Sequence, residues 1–185
     1  MNVFAVAGSL RRDAWNRKVL EAAAELAPED VDVELWDGLK DVPPYDEDDD
    51  VEPAPAAVAK LRDALAGADA ILFSTPEYNS SVPGVLKNAI DWASRPLATN
   101  PLRNKPVAVV GASTGAFGAV WAQAELRKVL ASTGARVVEG EVAFGHAPTR
   151  FDEHGRLADE QLREQLEEVV EALAESARTR LKAAA

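Results

Sequence analysis

The sequence predicts an α/β protein built on a five-stranded parallel sheet, order 2-1-3-4-5, with helices on both faces. Three observations carry that expectation. Short apolar runs alternate with amphipathic stretches over the whole length, the pattern of strand–helix–strand units with right-handed crossovers. The runs at residues 3–7, 70–74 and 107–111 are nearly continuous in apolar residues, as central strands covered on both faces require. The run at 31–36 instead alternates Val31, Val33 and Leu35 with Asp32 and Glu34, which places it nearer an edge.

Taken in order, strand 3–7 leads through a polar loop into a helix at about 14–26, then strand 31–36. Residues 41–55 carry four prolines and the acidic run Asp46 to Asp50, followed by Glu52. They read as a solvated loop, or as one in which Pro44, Tyr45 and Asp46 border a neighbouring subunit or the substrate opening. Helical spacing resumes at 54–66, strand 70–74 follows, and further helices are expected at 83–94 and 119–132 on either side of strand 107–111. A fifth strand is expected at 137–143 and a last helix at 158–182, where Leu162, Leu166, Val169, Val170 and Leu173 form one stripe that packs on the sheet. No repeat or linker divides the chain, so residues 1–185 read as one domain, long enough to bury a sheet between two helical layers.

Composition narrows the chemistry. With 47% hydrophobic and 28% charged residues the chain is globular, and its apolar runs are too short to cross a bilayer. The first residues read as a strand and loop with no export signal visible in them, so the cytoplasm is the expected location. The absence of cysteine excludes disulfides, thiolate metal sites, iron–sulfur clusters and a cysteine nucleophile, and His146 and His154 are the only histidines, so no metal centre is expected. Any redox chemistry must then come from a bound organic cofactor. A net charge of −11 argues against nucleic acid as a partner.

In an open parallel sheet, ligands bind beyond the carboxyl ends of the strands where the order reverses, here the loops after strands 1, 3 and 4. The first, Gly8-Ser9-Leu10-Arg11-Arg12-Asp13-Ala14-Trp15-Asn16, joins a buried strand to a helix start through hydroxyl, amide and guanidinium groups. That composition suits a phosphate, with helix-start N–H groups, Ser9 and Asn16 as donors and Arg11 as the charged fork; Ser9 read as a plain helix cap is the alternative. It is neither a GxGxxG nor a GxxxxGK[ST] loop, so a monophosphate fits better than a triphosphate.

The second loop, Thr75 through Gly84, offers backbone groups around Glu77 to Ser80 for the edge of a flat heterocycle and Tyr78 for its surround. Glu77 can also simply hold the loop by hydrogen bonds. The third loop, Gly111-Ala112-Ser113-Thr114-Gly115-Ala116-Phe117-Gly118, has three glycines that permit positive φ and close backbone approach to a ligand, or a tight turn only.

These loops resemble the NADPH-dependent FMN reductase family, which includes bacterial quinone and chromate reductases. The resemblance is carried by Pro76-Glu77-Tyr78-Asn79-Ser80-Ser81-Val82-Pro83-Gly84 and the run on to Pro96. Gly8, Ser9, Arg11 and Asn16 are similar to the family's Gly-Ser-x-Arg-x-x-Ser-x-Asn signature, and Ser113, Thr114, Gly115 and Gly118 to its third loop. Ala14 stands where the family has a serine. The missing hydroxyl weakens a phosphate site by roughly 0.5–1.5 kcal/mol without removing it.

The resemblance implies a flavodoxin-like three-layer sandwich and non-covalent FMN, with Ser9, Arg11, Asn16, Pro76, Glu77, Tyr78, Asn79, Ser80, Ser113, Thr114, Gly115 and Gly118 as the cofactor-binding set. NADPH, or NADH, is the implied co-substrate, and the assembly a homodimer or homotetramer. Asp91, Trp92 and Arg95 become candidates for a subunit contact or the nicotinamide side, and Arg11, Arg12 or Arg95 for a 2′-phosphate. No catalytic side chain is expected, because the cofactor carries the chemistry and the protein stacks the rings and excludes water.

The implied cycle is ping-pong, with donor and acceptor using the site in turn. Quinones lead the implied acceptors, with free flavin, chromate and azo compounds behind them. Two other functions stay open: a flavodoxin-like electron carrier, which the family match over residues 87–96 disfavours, and a flavin reductase supplying reduced FMN to a partner monooxygenase.

Overall fold

Six strands form one parallel sheet: β1 (Asn2–Ala7), β2 (Asp32–Trp36), β3 (Ala70–Thr75), β4 (Pro106–Ala112), β5 (Arg136–Val137) and β6 (Ala143–Phe144). Their order is β2-β1-β3-β4-β5, with β6 also paired to β4. The computed structural model describes residues 1–184; Ala185, the last residue of the expected domain, lies outside the described residues.

Alternation along each central strand divides the core in two. Val3, Ala5, Leu72, Ala108 and Val110 face one way and pack with α1 (Trp15–Leu26) and α5 (Glu160–Ala184). Phe4, Val6, Ile71, Phe73, Val107 and Val109 face the other way, toward α2 (Ala56–Gly67), α3 (Gly84–Ala93) and α4 (Val120–Ser132). Because both faces are covered, every residue of β3 and β4 is buried, which is why their sequences lack polar alternation. β2 leaves Asp32 and Glu34 exposed, as an edge strand does. This is the flavodoxin-like three-layer arrangement expected. α1 and α2 lie on opposite faces, so the crevice at the carboxyl ends opens where β1 and β3 meet.

The fifth strand departs from expectation. Instead of running through 137–143 it breaks into β5 and β6: Val137 pairs with Val107 and Ala143 with Gly111, so five residues on one strand face three on the other. Two features cause the break. Gly140 takes a φ of +120°, and a Cβ there would stand 2.9 Å from Val169 Cγ2, so only glycine fits beside α5. The Arg127 guanidinium enters the gap, donating from Nη1 to Val138 O at 2.9 Å and from Nη2 to Val109 O at 3.0 Å and to Gly140 O. These bonds replace the missing ladder, and burial pulls the Arg127 pKa below its ordinary value.

The acidic loop leaves Asp46 to Asp49 exposed, as a solvated loop does, and is fastened to α3 and α2 on either side of them. Tyr45 meets the Trp92 ring edge-on at 4.9 Å, Trp92 Nε1 and Asn88 Nδ2 both donate to Pro43 O at 2.8 Å, and Arg62 pairs with Asp50 at 2.8 Å. α5 starts two residues later than expected because Asp159 caps it, accepting the Leu162 N–H at 3.1 Å. Among the described residues no helix is long and apolar enough to cross a membrane, and no cluster of three potential ligands could hold a metal ion.

Candidate functional site

The three loops meet at the carboxyl ends of β1, β3 and β4, around a cavity of about 210 Å³. Ser9, Arg11 and Asn16 line it from the first loop, Pro76, Glu77 and Tyr78 from the second, and Ser113 and Thr114 from the third. Asn79, Ser80, Gly115 and Gly118 do not line it; they shape the loops that do.

Each loop has a local reason for its course. Gly8 N–H donates to Ser74 O at 2.8 Å, tying the end of β1 to β3. The chain then turns, Ala14 N–H reaching Arg11 O at 3.2 Å, and α1 starts with Ala14 at its N-cap and no side chain capping it. Arg17 N–H and Lys18 N–H turn back to Ala14 O at 3.0 and 3.2 Å, so the Trp15 and Asn16 N–H groups and the positive end of the helix dipole are left for an anion. Ser9 Oγ accepts the Arg11 N–H at 3.4 Å and stays half-exposed at the cavity, so it caps the turn and not the helix.

Asn16 is placed differently from its expected role as a phosphate donor. Its side chain is buried: Oδ1 accepts from Ser74 Oγ at 2.8 Å and from Ala112 N–H at 3.0 Å, and Nδ2 donates to Ala112 O at 3.0 Å. It ties α1 to the ends of β3 and β4, leaving one amide hydrogen for a ligand. These bonds set the spacing of the three loops.

In the second loop, Asn79 and Ser80 take φ of 52° and 59°, and Tyr78 and Ser81 exchange backbone hydrogen bonds at 3.2 and 3.1 Å. This is a type I′ turn, which accounts for asparagine at its first corner. The turn projects Tyr78, 53% exposed, over the cavity mouth. Glu77 takes the structural alternative: Oε2 accepts the N–H groups of Trp121 and Ala122 at 3.1 and 3.2 Å, capping α4 from another loop. A carboxylate so engaged is poorly placed to act as an acid.

In the third loop only Gly118 uses positive φ, at 56°, and a Cβ there would collide with the Ala143 backbone. Gly111 and Gly115 do not adopt that conformation. Ser113 Oγ accepts the Gly115 N–H at 3.1 Å.

Sequence reasoning missed several contributors. Trp15 lines the cavity and packs on Phe151 at 5.4 Å; an aromatic beside the signature asparagine was its signal. Ser74, a hydroxyl ending an apolar run, holds Asn16. The segment after β6 clamps the third loop, Ala147 N–H donating to Ser113 O at 3.0 Å and His146 N–H to Gly115 O at 2.9 Å. Of the outlying candidates, Trp92 is fully buried core, and Arg95 sits past the far end of α3, 5.8 Å above the Tyr45 ring.

This chemistry can be set beside known proteins. Residues 1–149 match the family described as NADPH-dependent FMN reductase. An NAD(P)H-dependent FMN reductase of Pseudomonas aeruginosa is 42% identical over 174 residues, 94% of this chain and 93% of the relative. A quinone reductase of Pseudomonas putida is 41% identical over 159 residues, 85% of each chain. The solved structure of FerB, a flavoenzyme NAD(P)H:(acceptor) oxidoreductase from Paracoccus denitrificans, superposes with a TM-score of 0.87 at 35% identity, covering 97% of this chain and 98% of FerB. With the match spanning the sheet and all three loops, the chain belongs to the NADPH-dependent FMN reductase family.

Proposed function

We propose that this chain is an FMN-containing oxidoreductase that takes electrons from NAD(P)H and passes them to a quinone or similar small acceptor. The observation that carries the reading is the convergence of the three loops on one cavity beside an uncapped helix N-terminus, with the one nearby carboxylate, Glu77, occupied as a cap. Such a site binds and orients, and the one carboxylate in its lining is already engaged.

The residues fit the cofactor. The α1 N-terminus, Ser9, Arg11 and the Ser113–Thr114 hydroxyls suit the phosphate end, and at about 210 Å³ the cavity matches that end better than a whole cofactor. The turn at Asn79 and Ser80 presents backbone groups for the edge of the ring system, and exposed Tyr78 gives it an apolar wall. FMN, when bound, supplies the two-electron redox chemistry. Gly115 and Gly118 keep the third loop close, and Asn16 keeps the loops in register. Quinone is preferred among acceptors on the strength of the P. putida relative, with free flavin, chromate and azo compounds behind it. We further infer one FMN-binding domain, a cytoplasmic location and a homodimer or homotetramer, which light scattering reads directly.

The test is to load the full chain with FMN, remove unbound cofactor, and follow the oxidised-flavin band anaerobically on adding NADPH and then NADH. Bleaching is expected. Retained but unbleached FMN supports the electron-carrier reading, and FMN lost rapidly on dilution supports a supplier of reduced flavin to a monooxygenase.

A further inference from the structure

A second cavity, of about 520 Å³, adjoins the first, and Ser9 and Arg11 line both. Its walls bring Arg11, Arg12 and Arg17 from the first loop and α1 opposite Trp36 and Lys40 at the end of β2. Asp37 is the one carboxylate in the lining, and it is engaged by Arg17, which also pairs with Glu21 at 3.0 Å. Arg11, Arg12 and Lys40 form no ion pair among the described residues.

The charge is the informative part. The chain carries a net −11, so three unpaired cations around one cavity run against its overall balance and concentrate anions there. The aromatic wall is fixed: the Trp36 ring lies 5.6 Å from Phe4, and a Cβ on Gly38 would come within 2.5 Å of Trp36 Cζ2. Cations beside a held indole suit a phosphorylated nucleoside better than a bare anion.

We propose that this cavity takes the 2′-phosphate of NADPH, with Arg12 and Lys40 as the residues that distinguish NADPH from NADH. The inference rests on the reading of the adjoining site as NAD(P)H-dependent, and it follows from adjacency: the two nucleotides differ in this one phosphate, and the cavity lies next to the loop that holds the flavin phosphate. Arg11 faces both cavities and so is not the discriminating residue.

The test uses the FMN-loaded full chain in calorimetric titrations with adenosine 2′,5′-bisphosphate, 5′-AMP and inorganic phosphate, none of which transfers electrons. The bisphosphate is expected to bind at least tenfold more tightly than 5′-AMP, and the Arg12→Ala/Lys40→Ala double variant to lose that difference. In the same variant the ratio of kcat/KM for NADPH to that for NADH is expected to fall at least tenfold. Equal binding of bisphosphate and 5′-AMP by the parent overturns the proposal, as does inorganic phosphate binding as tightly as the bisphosphate, which marks a simple anion hole. A double variant that retains the parent's preference also overturns it. Failure of both nucleotides to bleach the flavin refutes the functional reading instead, and the titrations still decide the cavity. If the double variant does not fold, the parent titrations and the single Lys40→Gln variant take its place: a reduced preference for the bisphosphate supports the proposal, and an unchanged one overturns it.

Discussion

Glu77 caps the helix that begins beside Trp121: its Oε2 accepts the Trp121 N–H at 3.1 Å and the neighbouring Ala122 N–H at 3.2 Å. One carboxylate therefore fixes the second loop to the start of α4 and completes the orphan donors of that helix. Glu77→Ala should lower stability by about 1 kcal/mol, the usual value of an N-terminal cap, and weaken FMN binding by loosening both loops. Glu77→Gln keeps an accepting oxygen and should retain most of both, along with the rate of flavin bleaching by NAD(P)H. Urea unfolding and anaerobic stopped-flow read the two effects. A glutamine variant as inactive as a protein without flavin would make Glu77 an acid in the reaction and sink the capping account.

Asn16 should behave as a structural keystone more than as a ligand. Its removal by Asn16→Ala leaves Ser74 Oγ and both polar groups of Ala112 without their buried partner. Buried polar groups left unpaired cost roughly 1–3 kcal/mol each when water cannot replace the bond, so a loss of about 3 kcal/mol or more is expected from the three together. In the Asn16→Ala/Ser74→Ala double variant one orphan disappears, and the combined loss should be smaller than the sum of the single losses. Strict additivity in urea unfolding would show that the two side chains do not act as a unit.

Ala14 occupies the N-cap of α1 with ψ of 135°, and its side chain is buried against the cavity that takes the phosphate in this reading. Ala14→Ser restores a hydroxyl, and the expected gain of about 0.5–1.5 kcal/mol corresponds to FMN binding tighter by roughly two- to tenfold. The same hydroxyl can instead cap α1, which would stabilise the FMN-free protein by about 1 kcal/mol. Fluorescence titration with FMN beside thermal unfolding of the flavin-free chain separates the two. Unchanged affinity with a raised Tm assigns the position to the helix and not to the ligand.

Much of this was legible in the chain. β1, β3 and β4 announced themselves because burial on both faces demands unbroken apolar runs, and β2 because an edge permits Asp32 and Glu34. The split of the fifth strand was not, because Glu139, Gly140 and Glu141 between valines pass for edge alternation. What splits it is tertiary: the Arg127 guanidinium arriving from α4, and Val169 on α5 pressing against Gly140. The loops showed their chemistry through composition. The division of labour within them did not show, since Asn16 meets Ser74 and Ala112 only after β1, β3 and β4 have paired.

At the opposite end of the sheet, Lys105 gives the fold a pH dependence of its own. It is 5% exposed, its Nζ donating to Ala66 O at 3.2 Å and to Ala68 O, the carbonyls that end α2. Burial pulls its pKa from the usual 10.5 down to about 8, Arg180 on α5 adds to the fall, and Asp69 partly opposes it. Below about pH 8 both folded and unfolded chains hold the proton, so the folded state carries the desolvated ammonium and its penalty. Between about 8 and 10.5 the folded chain has released a proton that the unfolded chain keeps, and linkage then makes stability rise with pH, by at most about 1.4 kcal/mol per unit. Above 10.5 both forms are neutral and the gain levels off. The measurement is urea unfolding of the parent and of Lys105→Met across this range, taken as a difference so that titrations elsewhere cancel. The parent should gain on the variant with rising pH; a difference that stays flat from pH 7 to 11 would show that Lys105 titrates as an ordinary surface amine.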